Sequence, residues 1–181
     1  MMHRKLIVAV SAVVLAFAYA ASPLQALAGL LGSNVTGTLY YPNVTTVYSG
    51  PIGPLTVTNA IEFPMTLAFD GNLDVTNSQV IWTATLSENY GAGSFNGFRL
   101  QFSGAPTITN VTLDSATTLT PVSFWFTGNE VWLNLAGLHA NAGQQTVLDI
   151  QTSSVPEPGS LLLLGSGLLG AVGAFRRKLG L

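Results

Sequence analysis

Between Glu157 and Arg176 the chain runs through eighteen consecutive uncharged residues, and no other feature of its 181 residues restricts its conformation as strongly. At 1.5 Å per residue a helix of that length covers roughly 27 Å, about the hydrocarbon thickness of a bilayer. In lipid an unpaired backbone amide costs more than forming a helix, so the glycines at 159, 165, 167, 170 and 173 do not forbid one there. Ser166 and Gly170, Gly167 and Ala171, and Gly170 and Ala174 are small residues four apart that would let a second membrane helix approach closely. Arg176, Arg177 and Lys178 end the run and belong on the cytoplasmic side. The expectation is a transmembrane helix at about 160–175, with its C-terminus inside and the bulk of the chain exported.

Pro156 and Pro158 cannot lie in the interior of that helix, and Val155 and Glu157, each preceding a proline, are biased to extended backbone. The segment Val155-Pro156-Glu157-Pro158 is therefore a stiff handle, suited to an enzyme that reads extended chain. Its order of parts, P-E-P, a Leu-rich and Gly-spotted span, then a short Arg/Lys end, resembles the PEP-CTERM sorting signal of Gram-negative bacteria. The same tail is also classed as an ice-binding-protein C-terminal domain. The PEP-CTERM resemblance implies processing near the handle by an exosortase, a membrane-embedded enzyme of cysteine transpeptidase type. It also implies release or transfer of the exported part, in species that make extracellular polysaccharide. The alternative for residues 155–181 is an uncleaved membrane anchor.

The other end reads as a secretory signal peptide, residues 1–28. Arg4 and Lys5 form its charged region and residues 6–21 its apolar region, and Ala26-Leu27-Ala28 offers a small-x-small site before Gly29. Signal peptidase and the export machinery are then partners. Five of the six basic residues lie in these two end segments. Residues 29–154 keep Arg99 alone against Glu62, Asp70, Asp74, Glu88, Asp114, Glu130 and Asp149, one against seven, a net charge of −6. Such a surface repels phosphate backbones, so nucleic acid is not an expected partner. The chain has no cysteine, and a domain of this length can bury a sufficient core without disulfides.

Residues 29–154 carry short runs of β-branched and aromatic residues punctuated by Gly, Pro, Asn and Asp, an all-β pattern. The expected fold is a single β-sandwich, jelly-roll or Ig-like. Strands are expected near 35–41, 45–48, 55–57, 61–69, 80–86, 97–102, 108–113, 122–127, 130–135 and 145–150. Pro64 places its strand at an edge or bulge, and residues 135–144 hold one helical turn at most. Gly128-Asn129 can form a two-residue hairpin turn that pairs Phe126 with Val131, Phe124 with Leu133 and Val122 with Leu135 on a core face. On the other face it pairs Trp125 with Trp132 and Ser123 with Asn134. The tryptophans are then packing covered by a neighbouring loop or sheet, a cross-strand contact, or a ligand platform for a sugar ring or another aromatic surface. The segments 35–42, 61–63, 95–98, 108–113 and 131–138 resemble an exported β domain associated with PEP-CTERM proteins, a likeness that brings no activity with it.

Catalytic and metal chemistry find little support. Past the signal peptide the sole histidine is His139, with no Cys and no nucleophile-elbow Ser, which leaves nucleophilic catalysis and zinc without their residues. Asp70, Asn72 and Asp74 open like a calcium loop, but positions 6 and 12 hold Val75 and Ile81 where Gly and an acid are needed, and the same residues suit a metal-free turn. Glu62, Glu88 and Glu130 are spaced as solvated residues rather than as a glycosidase pair. The T-x-T pairs at 36/38, 56/58, 83/85 and 107/109 are too irregular for an ice-binding ladder. The sequons at Asn34, Asn43 and Asn110 read as ordinary β-edge composition. No cofactor is expected. The reading is a non-enzymatic exported protein of structural or adhesive type at the cell surface or in an extracellular matrix. The alternative is a carbohydrate-binding module that uses Trp125 and Trp132 to hold extracellular polysaccharide. N-terminal sequencing of the mature protein should return Gly29 or a near neighbour, and an intact Met1 would refute cleavage.

Overall fold

The structure, a computed structural model, describes residues 29–65, 71–153 and 165–167. The features expected at residues 1–28, Asp70, Val155 to Pro158 and Arg176, Arg177 and Lys178 lie outside the described residues. So does the expected membrane helix, apart from residues 165–167, which are helical. Among the described residues no helix is long and apolar enough to cross a membrane.

The described part is mostly β, in antiparallel sheets. In chain order its strands are β1 (Asn34–Tyr40), β2 (Val47–Thr56), β3 (Gly71–Val75), β4 (Gln79–Ala84), β5 (Glu88–Asn89) and β6 (Gly97–Ser103). They continue with β7 (Ile108–Leu113), β8 (Ser123–Phe126), β9 (Glu130–Asn134), β10 (His139–Ala140) and β11 (Gln145–Thr152). One sheet has the order β2-β1-β6-β9-β8, another β3-β4-β11-β7, and β10 pairs with β5 in a small third.

Alternation along the strands builds the core. On β6, Phe98, Leu100 and Phe102 point inward while Arg99 and Gln101 point out, the period of two expected of a half-buried strand. Val35 and Leu39 of β1 and Val131 and Leu133 of β9 extend the inward row. From the other large sheet come Leu73, Val75, Val80, Trp82, Leu148 and Ile150, and all belong to one continuous hydrophobic core. On β7 a register shift opposite Gln151 and Thr152 lets Ile108 and Val111, three residues apart, both reach it.

The hairpin register is as expected over four pairs, from Phe126–Val131 to Ser123–Asn134, and Thr127 N–H donates to the Glu130 carbonyl at 2.9 Å across the Gly128-Asn129 turn. The fifth pair does not form. Val122 lies outside β8 and is exposed, its N–H donating to the Asn134 carbonyl at 2.9 Å.

Other differences have local causes. The segments expected as strands 45–48 and 55–57 overlap the two ends of the single strand β2, which bulges against β1 at three places. Its two Gly-Pro steps suit the bulges. Gly50 and Gly53 take φ of 96° and 118°, and prolines are tolerated because β2 has a neighbour on one side only. No strand spans 61–65: there Phe63 makes an isolated bridge to Leu73. Of residues 70–74, read as a turn because Asp, Gly and Asn favour turns, 71–74 lie on strand β3, since Gly71, Leu73 and Val75 all fill inward positions. Residues 135–144 hold the two-residue strand β10.

Leu100 is fully buried on a central strand, whereas Leu86 is 54% exposed after β4. Leu100→Ala should lower unfolding free energy by about 2–5 kcal/mol, and Leu86→Ala should change it by roughly 0.5 kcal/mol or less. Denaturant unfolding of the two variants checks this ordering.

Candidate functional site

The outward face of the five-stranded sheet carries a row of side chains fixed by register. Thr38 of β1 stands opposite Arg99 of β6, Arg99 opposite Trp132 of β9, and Trp132 opposite Trp125 of the edge strand β8. The two indoles stack with centroids 5.4 Å apart and planes 11° from parallel. Phe95, at the approach to β6, meets Trp125 edge-on at 5.5 Å and Trp132 at 5.9 Å, and Tyr40 lies 5.2 Å from Trp132. Next to Tyr40 on the following strand is Gly97, where a Cβ would collide with the Leu133 carbonyl oxygen, so no side chain stands between Tyr40 and its aromatic neighbours.

Arg99 is the hub of this row. Its guanidinium lies 5.7 Å from the Tyr40 ring centre and 5.6 Å from that of Trp132. It is 3.7 Å from the Glu130 carboxylate, which also accepts a hydrogen bond from Trp132 Nε1 at 3.1 Å. Trp132 is half-buried, closed in by Phe95 and by Tyr40, Arg99 and Trp125 of its own sheet. Trp125 keeps an open side and is 38% exposed. Sequence reasoning paired the tryptophans but missed Tyr40, Phe95 and Arg99. The signal was there in part: Tyr40 and Arg99 each sit at an outward position of an alternating strand.

A second polar cluster lies across β3. The Phe63–Leu73 bridge sets Glu62 opposite Asp74. Glu62 is buried and satisfied, with Oε1 accepting from Thr58 N–H at 2.8 Å and Oε2 from Val75 N–H at 2.8 Å. The buried Oδ1 of Asp74 receives no such donor. Burial first, then the Glu62 charge and a hydrogen bond to Glu62, push the Asp74 carboxyl above its ordinary value of 3.8. The three-residue calcium opening is not a loop: Asn72 and Asp74 lie on β3, Asn72 Oδ1 accepts from Met65 N–H at 3.0 Å, and Asp70 is outside the described residues. Among the described residues no group of three or more His, Asp or Glu side chains could hold a metal ion. His139, on β10, has both ring nitrogens against asparagine oxygens, at 2.8 Å from Asn89 and 3.3 Å from Asn141.

The β domain closes with Ser153, whose N–H donates to the Thr107 carbonyl at 2.7 Å. A family model for the PEP-CTERM protein-sorting motif matches residues 154–178, starting at the next residue. The chain carries a PEP-CTERM sorting motif. No curated protein and no solved structure matches it. The PEP-CTERM motif implies an exported protein sorted through an exosortase, and the handle Val155, Pro156, Glu157 and Pro158 falls inside the matched segment.

The Asp74 carboxyl gives a pH test. A carboxyl whose folded pKa is raised contributes stability that is fully present below its ordinary value of 3.8 and is lost as pH rises through the raised folded value. Asp74→Asn removes the like-charge opposition to Glu62 while keeping a donor toward it. The variant should melt higher than wild type at neutral pH, and the difference should shrink on acidification. A gap that grows toward acid pH would refute the pairing.

Proposed function

We propose that this chain is a non-enzymatic surface or extracellular-matrix protein of structural or adhesive type. In this reading residues 1–28 are a cleaved signal peptide, residues 29–154 a β-sandwich, and residues 155–181 a sorting segment with a transmembrane helix at about 160–175. That helix anchors the protein in the inner membrane, domain outside and C-terminus cytoplasmic, until an exosortase acts at the Pro156-Glu157-Pro158 handle. The observation that carries the proposal is that the two parts adjoin in sequence: among the described residues the β fold runs to Ser153, hydrogen-bonded to Thr107, and the sorting motif begins at 154. A domain built as cargo needs no more chain than that.

The lack of an enzymatic role is supported by how the polar side chains are used. His139 is engaged at both nitrogens, Glu62 is tied to backbone amides, and Glu130 is tied to Arg99 and Trp132. A second reading, a carbohydrate-binding module, is favoured by one observation, the held and half-open ring of Trp125 at the edge of the five-stranded sheet. Sorting is tested by an epitope tag fused after Leu181. In cells with an active exosortase the tag should be separated from the β domain, and a tag retained on the full-length protein would sink the proposal.

A further inference from the structure

Trp125 is the point where the aromatic row meets solvent. One of its faces rests on Trp132 and its margin meets Phe95 at 5.5 Å, so the ring is held in place before any ligand arrives. On the same outward face Ser123 lies two residues along β8, whereas Glu130 on β9 and Gln101 on β6, which stand opposite each other, lie on the side of Trp125 that Trp132 covers. The charge around the ring is already balanced. Arg99, the one Lys or Arg of residues 29–154, is paired with Glu130 at 3.7 Å, and the domain as a whole carries −6.

We infer that this face binds an uncharged polysaccharide, with one sugar ring lying on the open face of Trp125 at the sheet edge and its hydroxyls meeting Ser123. The inference rests on the carbohydrate-binding reading above and narrows it to neutral glycans. A pyranose offers a patch of C–H groups with a rim of hydroxyls, which matches an open indole face with a hydroxyl two residues along the same strand. A protein partner fits less well: the open part of one tryptophan supplies on the order of 100 Å², far below the roughly 800 Å² per side of a stable interface. The other exposed aromatic of this sheet, Tyr48, is on β2, separated from β8 by three strands. A polyanionic glycan would meet a net negative domain whose one cation is already paired. A neutral chain meets neither penalty.

The test is affinity electrophoresis of the full chain in gels containing a neutral β-glucan, a neutral galactomannan or alginate. The expected result is retardation by at least one neutral polymer and none by alginate. Trp125→Ala should weaken it about tenfold, and Tyr48→Ala should leave it unchanged. If the melting temperature shows that Trp125→Ala is misfolded, Trp125→Phe replaces it, and a well-folded Phe variant should still bind more weakly. Retardation by alginate alone, abolished in the Trp125 variants, would overturn the neutral-glycan inference and leave the carbohydrate-binding reading standing. No retardation by any polymer, or retardation unchanged in the Trp125 variants, would overturn both.

Discussion

Leu100 and Leu148 are fully buried on interior strands of the two large sheets, and the shared core they help fill decides where nearly every other side chain goes. A one-residue slip of β6 would send Phe98, Leu100 and Phe102 to solvent and turn Arg99 inward. Each large apolar side chain so exposed forfeits about 1.5–3 kcal/mol, and an inward arginine would need a buried partner that the apolar row does not contain. Neighbouring strands are locked to β6 by the same reasoning, β1 through Val35 and Leu39 and β9 through Val131 and Leu133. The row Thr38, Arg99, Trp132, Trp125 on the opposite face is therefore a consequence of core packing. It needs no large energy of its own to be positioned.

That matters because its own contacts are modest. A cation over an aromatic ring is worth about 0.5–2 kcal/mol, an aromatic pair about 0.5–1.5 kcal/mol, and a half-exposed ion pair about 0–1 kcal/mol. None of these alone would hold Trp125 still; several acting on a rigid sheet do. The outward side of β3 shows the reverse case. There Glu62 takes the backbone amides of Thr58 and Val75, and Asp74, directly across, is left with burial and a like charge. The first cluster relieves the charge of the domain's one arginine, while the second concentrates two of its seven acids.

The legible parts of the sequence were those in which one physical rule acts alone. The hairpin 123–134 was legible because a two-residue turn fixes register, and the pairing from Phe126–Val131 to Ser123–Asn134 follows from it. Strand β3 was not, since Asp, Gly and Asn indicate a turn locally, and only the inward placing of Gly71, Leu73 and Val75 against the core outweighs that preference. Strand β2 was split because two Gly-Pro steps look like breaks; at an edge they become bulges. Of the candidate site, the Trp125–Trp132 pair followed from the hairpin. Tyr40, Phe95 and Arg99 come from 85, 30 and 26 residues before Trp125, and a single sequence gives no rule that brings such distant residues over one another.

The two ends of the domain bear on how such cargo survives its processing. Leu30 N–H donates to the carbonyl of Asn77 at 2.9 Å, and Ile150 N–H donates to the carbonyl of the next residue, Ser78, at 2.7 Å. Where the chain enters the domain and where it leaves are thus fastened to one turn, the link between β3 and β4. Ser153 adds a last tie to Thr107. These closing bonds are made wholly by residues between 30 and 153, so a cut before Gly29 or after Ser154 removes none of them. Leu30 is itself fully buried, so the first turn of the domain is anchored by an apolar side chain as well as by hydrogen bonds. Among the described residues, the two ends of the β fold are thus fastened by the backbone carbonyls of Asn77, Ser78 and Thr107.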